Sequence, residues 1–223
     1  YTKIILNAAG VPQCRYIVAF RDIILKNDGT YEREVEESFG FPCFVKPSNS
    51  GSSVGAFKVP SRAELAPALE KAQIYDRRIL IEEYINAREI ECSVLGNAEA
   101  VASTPGEIIP SKEFYDYEDK YIAGTSVTQI PAGIPEDKLL QVKYLAVKAF
   151  KALDCAGLSR VDFFYDKDTG RILLNEVNTL PGFTDISMYS KLWEYDGICF
   201  KDLITRLIEL ACENAELRKR SGV

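Results

Sequence analysis

The run Arg171–Thr184, RILLNEVNTLPGFT, constrains the fold most strongly. Ile172, Leu173 and Leu174 form a short apolar run of strand character that delivers Asn175, Glu176 and Asn178 to its end. Pro181-Gly182 then breaks the strand, because proline has no ladder donor, and the turn exposes backbone N–H groups. Upstream, Arg160-Val-Asp162 sits in a second strand-like run, 157–165, and Lys167-Asp-Thr-Gly170 reads as the hairpin turn between them. Asp162, Glu176 and Asn178 would then make an all-oxygen cluster. Such ligands suit Mg²⁺, which takes few carboxylates and keeps the rest of its shell for water and phosphate. The cluster points to a nucleotide-phosphate site and not to a structural metal.

Composition narrows the chemistry. The 223 residues allow one large or two small domains, and 47% apolar with 27% charged residues is ordinary for a soluble globule. The net charge is −6, with no basic arm or stripe, which argues against a nucleic-acid partner. No apolar run reaches the ~18–20 residues of a membrane span, so no membrane partner is expected. The chain has no histidine, which excludes Ser-His-Asp and Cys-His catalysis and any His-ligated zinc. Its reactions must use Lys, Arg, carboxylates, hydroxyls, backbone groups and metal. The six cysteines form no CxxC and sit mostly in apolar contexts, as buried reduced thiols of a cytosolic protein do. The opening segment reads as a helix ending at Gly10, with Pro12 beyond, and not as a signal peptide. Because residue 1 is Tyr and not Met, the chain is expected to begin partway through a larger protein.

The remaining pattern alternates strands and helices. Strands are expected at 15–20, 44–47, 54–59, 78–84, 89–95 and 98–102. Helices are expected at 32–39, at 61–75 behind the capping-box pattern Ser61-Arg-Ala-Glu64, after Pro135, and at 200–215. Leu139, Leu140, Val142, Leu145, Ala146, Ala149, Phe150 and Leu153 form the apolar stripe of the helix after Pro135. Residues 111–126 show no period and read as a long loop, the kind that often serves as a lid. The fold class is α+β, with mostly antiparallel sheets and helices on their outer faces. A seam near Asn86-Ala87 divides it into subdomains 1–86 and 87–223.

Four further segments carry chemistry. In Val45-Lys46-Pro47-Ser-Asn-Ser-Gly51-Ser52-Ser53-Val54-Gly55, small residues let backbone approach a polyanion and Lys46 adds a point charge; the same loop also reads as an ordinary hairpin turn. Ile79–Ile85 brings Glu82 and Glu83 to a strand end, with Glu89 after it: either a solvated end, or a hinge that holds adenine and ribose. Arg160 and Asp162 share a strand face, so they form either an ion pair or a metal ligand beside a cation for a transferring phosphoryl group. Phe114–Tyr121 puts Lys120 and Tyr121 in the long loop, where they either pack it down or close over substrate.

Taken together, Phe44-Val-Lys-Pro…Gly-Ser-Ser-Val-Gly55, Ile81-Glu-Glu-Tyr-Ile85, Tyr115-Asp-Tyr-Glu-Asp-Lys-Tyr121, Gly157-Leu-Ser-Arg-Val-Asp162 and Asn175–Thr184 resemble the D-alanine–D-alanine ligases of the ATP-grasp superfamily. The resemblance runs from Tyr1 to about Ala211 and implies two ATP-grasp subdomains that enclose the nucleotide: 1–86 as the ATP lid and 87–223 as the catalytic part. It implies that Lys46 and Lys120 contact ATP phosphates. Glu82 and the backbone of Glu83 to Ile85 would hold adenine, and Glu89 ribose. Asp162, Glu176 and Asn178 would ligate two Mg²⁺ ions, with Mn²⁺ as a substitute. Arg160 and the Gly182 backbone would form the oxyanion site. Ser52 and Tyr121 would order the closed site. Ser187 would take the carboxylate of the second D-alanine, with Met188 in the same pocket. The implied reaction phosphorylates one D-alanine on its carboxylate, and the amine of a second displaces phosphate, for peptidoglycan precursor synthesis in the bacterial cytoplasm.

The resemblance has three departures. The family has an amino-terminal domain that supplies a Glu for the first D-alanine, and a second ATP-binding Lys would fall just before Tyr1. The segment alone is therefore expected to bind nucleotide weakly and form little dipeptide. Ser187-Met-Tyr-Ser-Lys191 replaces the family's Ser-Leu-x-Pro, which keeps D-alanyl-D-serine formation, or another ATP-grasp carboxylate–amine ligation, as the alternative. Relatives that make D-alanyl-D-lactate carry His where Tyr121 stands, so Tyr121 favours an amine nucleophile. A catalytically silent nucleotide-binding segment is the non-enzymatic reading. A homodimer is expected for the full-length protein.

Overall fold

Alternation along β2 (Cys43–Pro47) sets the pattern of the first unit. Cys43, Val45 and Pro47 turn inward while Phe44 and Lys46 turn outward. The computed structural model describes residues 1–26, 28–51, 53–109, 127–184 and 186–220. In the unit Cys14–Ile85, β1 (Tyr16–Phe20), β2, β3 (Phe57–Val59) and β4 (Arg78–Glu83) form an antiparallel sheet in the order β1-β4-β2-β3. Ile17, Ala19, Cys43, Val45, Ile79 and Ile81 pack one face of that sheet into a core with Val35 of α3 (Thr30–Ser38) and Leu65 and Leu69 of α4 (Arg62–Ala72). A short α2 (Arg21–Ile24) follows β1. The strand expected at 54–59 is shorter, because 53–55 is a turn. The capping box is not formed as expected: the Ser61 hydroxyl bonds the Glu64 carboxylate at 2.8 Å and not a backbone N–H.

The second unit joins Tyr1–Gln13 to Asn86–Ile109 and to the described residues from Val127 onward. Its sheet runs β10-β9-β5-β7-β8, with β6 (Val101–Ala102) also on β5. The strands are β5 (Ala87–Gly96), β7 (Gly106–Ile109), β8 (Val127–Gln129), β9 (Gly157–Asp166) and β10 (Ile172–Asn178). Ile90, Cys92, Val94, Val161, Phe163, Ile172 and Leu174 pack one face against Val142, Leu145, Ala146, Ala149 and Phe150 of α5 (Glu136–Ala152). Leu140, expected in that stripe, is 62% exposed, because the contact is narrower than the apolar run. On the opposite face Leu95 meets Tyr189 and Trp193 of α6 (Met188–Tyr195) and Leu203 of α7 (Phe200–Arg220). The expected boundary placed residues 1–13 with the first subdomain. Their packing places them in the second: Leu6 of α1 (Thr2–Ala8) and Val11 are in the α5 core, and Gln13 bridges Leu174. Cys14, Cys43 and Cys92 are buried thiols as expected, whereas Cys199 and Cys212 are exposed.

Candidate active site

Strand pairing brings the chemistry-bearing residues of the second unit into two rows. Glu91 on β5, Asp162 on β9 and Glu176 on β10 are direct cross-strand partners. Ser93, Arg160 and Asn178 form the next row. Direct partners and i, i+2 neighbours share a face, so these side chains share the face opposite the α5 core. Glu89, two residues before Glu91, extends the same face, opposite Ile108 and Phe164.

Arg160 holds the cluster together. Its Nε and Nη2 donate to the two oxygens of Asp162 at 2.8 and 2.7 Å, and Nε also lies 3.1 Å from Glu91 Oε2. The Asn178 amide donates to Asp162 Oδ2 at 3.0 Å and to Glu176 Oε1 at 3.4 Å. Burial works against the Arg160 charge, but Asp162 outweighs it, with Glu91 and Glu176 adding to the effect. The guanidinium pKa is therefore held above its ordinary value. Three carboxylates face one guanidinium, which leaves a surplus of negative charge. Among the described residues no group of three His, Cys, Asp or Glu side chains is positioned to hold a metal ion. The donors are two carboxylates, Asp162 and Glu176, and the Asn178 amide. An all-oxygen set with surplus negative charge fits a hard divalent cation that keeps water or phosphate in its remaining positions.

The other expected residues fall in separate places. Lys46 and Glu82, on the outward face of the first unit's sheet, form an ion pair at 2.7 Å, and Glu82 is 4% exposed. The Glu83 carboxylate accepts the Arg15 backbone N–H at 2.8 Å and Arg15 Nε at 2.7 Å, so its side chain is committed within the unit. Ile85 is half-buried in the connection after β4. Ser187 precedes α6, and its hydroxyl accepts the Thr184 N–H at 3.0 Å. Gly182 lies against it: a Cβ there would stand 2.9 Å from Ser187 Oγ. Met188 is 3% exposed and packs against Gly106, inside the sheet–helix contact and not on an open surface. Ser52, Lys120 and Tyr121 lie outside the described residues. Glu91 is the member of the cluster that sequence reading did not single out. The signal was its i, i+2 spacing from Glu89, and the pairing that gives the spacing meaning is non-local.

The chain matches the family model described as D-ala D-ala ligase C-terminus over residues 5–209. It is 55% identical to a D-alanine–D-alanine ligase of Acetivibrio thermocellus, over 96% of this chain and 57% of that protein. Among solved structures it is similar to the D-alanine–D-alanine ligase from Coxiella burnetii, with a TM-score of 0.84, 36% identity, and coverage of 98% of this chain and 57% of that one. It is also similar to a D-Ala:D-Ser ligase from Enterococcus faecalis, with a TM-score of 0.82, 36% identity, and coverage of 94% and 60%. The chain thus spans about three fifths of the length of the relatives it matches. Family match and structural likeness agree: the chain belongs to the D-alanine–D-alanine ligase C-terminus family and has its ATP-grasp α+β fold.

Proposed function

We propose that this chain supplies the nucleotide and metal machinery of an ATP-dependent D-alanine–D-alanine ligase acting in peptidoglycan precursor synthesis in the bacterial cytoplasm. The observation that carries the reading is the Asp162–Glu176 pairing with Arg160 and Asn178 in the adjacent row, in a member of this family. Asp162, Glu176 and Asn178 would hold Mg²⁺, or Mn²⁺ in its place. Bound there, the cation neutralises ATP phosphate charge. Arg160 is fixed by hydrogen bonds and stays charged, which suits it to stabilise charge on a transferring phosphoryl group or on the tetrahedral oxyanion. The Gly182 N–H would share the oxyanion. Lys46 would exchange its Glu82 partner for ATP phosphate, Glu82 and the Glu83–Ile85 backbone would receive adenine, and Glu89 ribose. Ser187 would bind the second amino acid's carboxylate, with Met188 shaping the wall from behind. Lys120, Ser52 and Tyr121 would complete the closed site. Such chemistry is positioning and charge neutralisation, which explains how a chain with no histidine can perform it.

A chimaera tests this directly: the corresponding segment of the Acetivibrio thermocellus ligase is replaced by this chain. It should release phosphate one-for-one with D-alanyl-D-alanine, prefer D-alanine over D-serine as second substrate, and form a homodimer. Glu176→Gln should cut turnover by at least ~100-fold, the upper range for a lost metal-site interaction. A chimaera that folds and binds ATP but forms no dipeptide would overturn the activity, and a D-serine preference would redirect it. The chain alone should bind ADP weakly and turn over little.

A further inference from the structure

Nothing in the family resemblance assigned Glu91 a role, yet it completes the carboxylate row beside Asp162. Arg160 Nε faces two carboxylates: its N–H donates to Asp162 Oδ1 at 2.8 Å, and Glu91 Oε2 lies 3.1 Å away as an ion-pair partner. Its Nη2 goes to Asp162 alone, at 2.7 Å. Asp162 is therefore asked to serve two cations: the Arg160 guanidinium, which it holds in this structure, and the divalent ion that its donor set fits. With no other anchor, Arg160 would either keep Asp162 from the metal or leave the site with it. Glu91 removes that conflict. Its side chain is 12% exposed, on β5 beside β9, and it is already ion-paired with the Arg160 guanidinium.

We propose that Glu91 is a positioning residue that retains Arg160 when a divalent cation draws on Asp162. This rests on the metal reading of Asp162, Glu176 and Asn178 given above. In the row Glu91–Asp162–Glu176, the outer carboxylate on β10 faces the cation and the outer carboxylate on β5 faces the arginine. Asp162, between them, passes from one to the other. Glu91 touches neither nucleotide nor metal in this arrangement and acts through Arg160.

The test is a double-mutant cycle on the 223-residue chain, read as Mn²⁺ affinity from the electron paramagnetic resonance signal of free Mn²⁺, with thermal melts to confirm folding. Glu91→Gln keeps the shape and removes the charge. In the wild-type background it both lowers the local negative charge and leaves Asp162 as the main anchor of Arg160. In an Arg160→Gln background only the charge effect remains. The loss of Mn²⁺ affinity caused by Glu91→Gln should therefore be about tenfold larger with Arg160 present than without it, the scale of a residue acting behind a metal ligand. Glu91→Asp, which keeps a carboxylate, should recover part of the loss. Equal losses in both backgrounds would overturn the proposal, because Glu91 would then act as bare charge or as a ligand. A wild-type chain that binds no Mn²⁺ would overturn it together with the metal reading.

Discussion

Glu176 stands directly opposite Asp162 across the β9–β10 pair because one residue, Asn175, is bulged out of β10. Leu174 pairs with Phe163 and Glu176 with Asp162, so two steps on β10 match one on β9. Without the bulge, Glu176 would oppose Val161, which points into the α5 core. A single extra residue thus moves Glu176 and Asn178 to the face that carries Asp162 and Arg160.

Deleting Asn175 should therefore make β10 regular and leave Glu176, now next to Leu174, still opposite Asp162 on the same face. The expected outcome is Mn²⁺ binding that survives the deletion. Urea unfolding with Mn²⁺ titration checks that the variant folds and binds. A folded deletion variant that binds no Mn²⁺ would show that strand register alone does not place the site.

At Gly182, a Cβ would meet Ser187 Oγ at 2.9 Å and Ser187 Cβ at an ordinary 3.8 Å. Gly182→Ala should cost about 1–3 kcal/mol through overpacking. In a Ser187→Ala background the same change should cost clearly less, because the crowded atom is gone. Chemical denaturation of the four proteins gives the coupling, and equal costs in both backgrounds would place the strain elsewhere.

Glu107 is 4% exposed and takes Arg88 Nε at 2.6 Å, while Arg88 Nη1 donates to the Gly133 carbonyl at 2.6 Å. The Gly133 N–H returns a bond to Glu107 at 3.2 Å, closing the network. Hydrogen bonding to Glu107, against the opposing effect of burial, raises the Arg88 pKa. Arg88→Met leaves the buried Glu107 charge without its arginine, held only by the Gly133 N–H, and should cost ~3–5 kcal/mol. Pairing it with Glu107→Leu should restore most of that, as measured by urea midpoints. A double variant no more stable than Arg88→Met alone would refute the pairing argument.

Asp166 gives the fold a pH signature. Burial raises its pKa, but bonds from the Thr169 hydroxyl, the Asp168 and Thr169 N–H groups and Arg171 outweigh that and hold it below the ordinary value. The folded state therefore favours the charged form. Its contribution is full above the unfolded value of about 3.9 and is lost as pH falls through the lower native value. Wild type should be more stable than Asp166→Asn at pH 7, and the gap should close as pH drops below about 4. A gap that stays constant on acidification, followed by urea midpoints across that range, would contradict the assignment.

Several features were legible in residue order alone. The β9–β10 hairpin, the α5 stripe and the strand that carries Lys46 rest on local periodicity, and periodicity survives in any context that buries one face. Residue types also set the available chemistry: no histidine, clustered oxygen donors, one arginine two residues from Asp162. Other features had no local signal. The strands β7 and β8 have four and three residues, too short to show a period. Met188 became a packing residue because Gly106, more than 80 positions earlier, leaves room for it. Tyr1–Gln13 joined the second unit through Leu6 and Val11, which could have packed against either core. The parity of Glu176 and the place of Glu91 beside Arg160 were decided only by a bulge and by pairing between β5 and β9, which are distant in sequence. Sequence determined which groups the chain can use. Tertiary structure decided which of them meet, because strand register is a non-local property and a shift of one residue reverses every face.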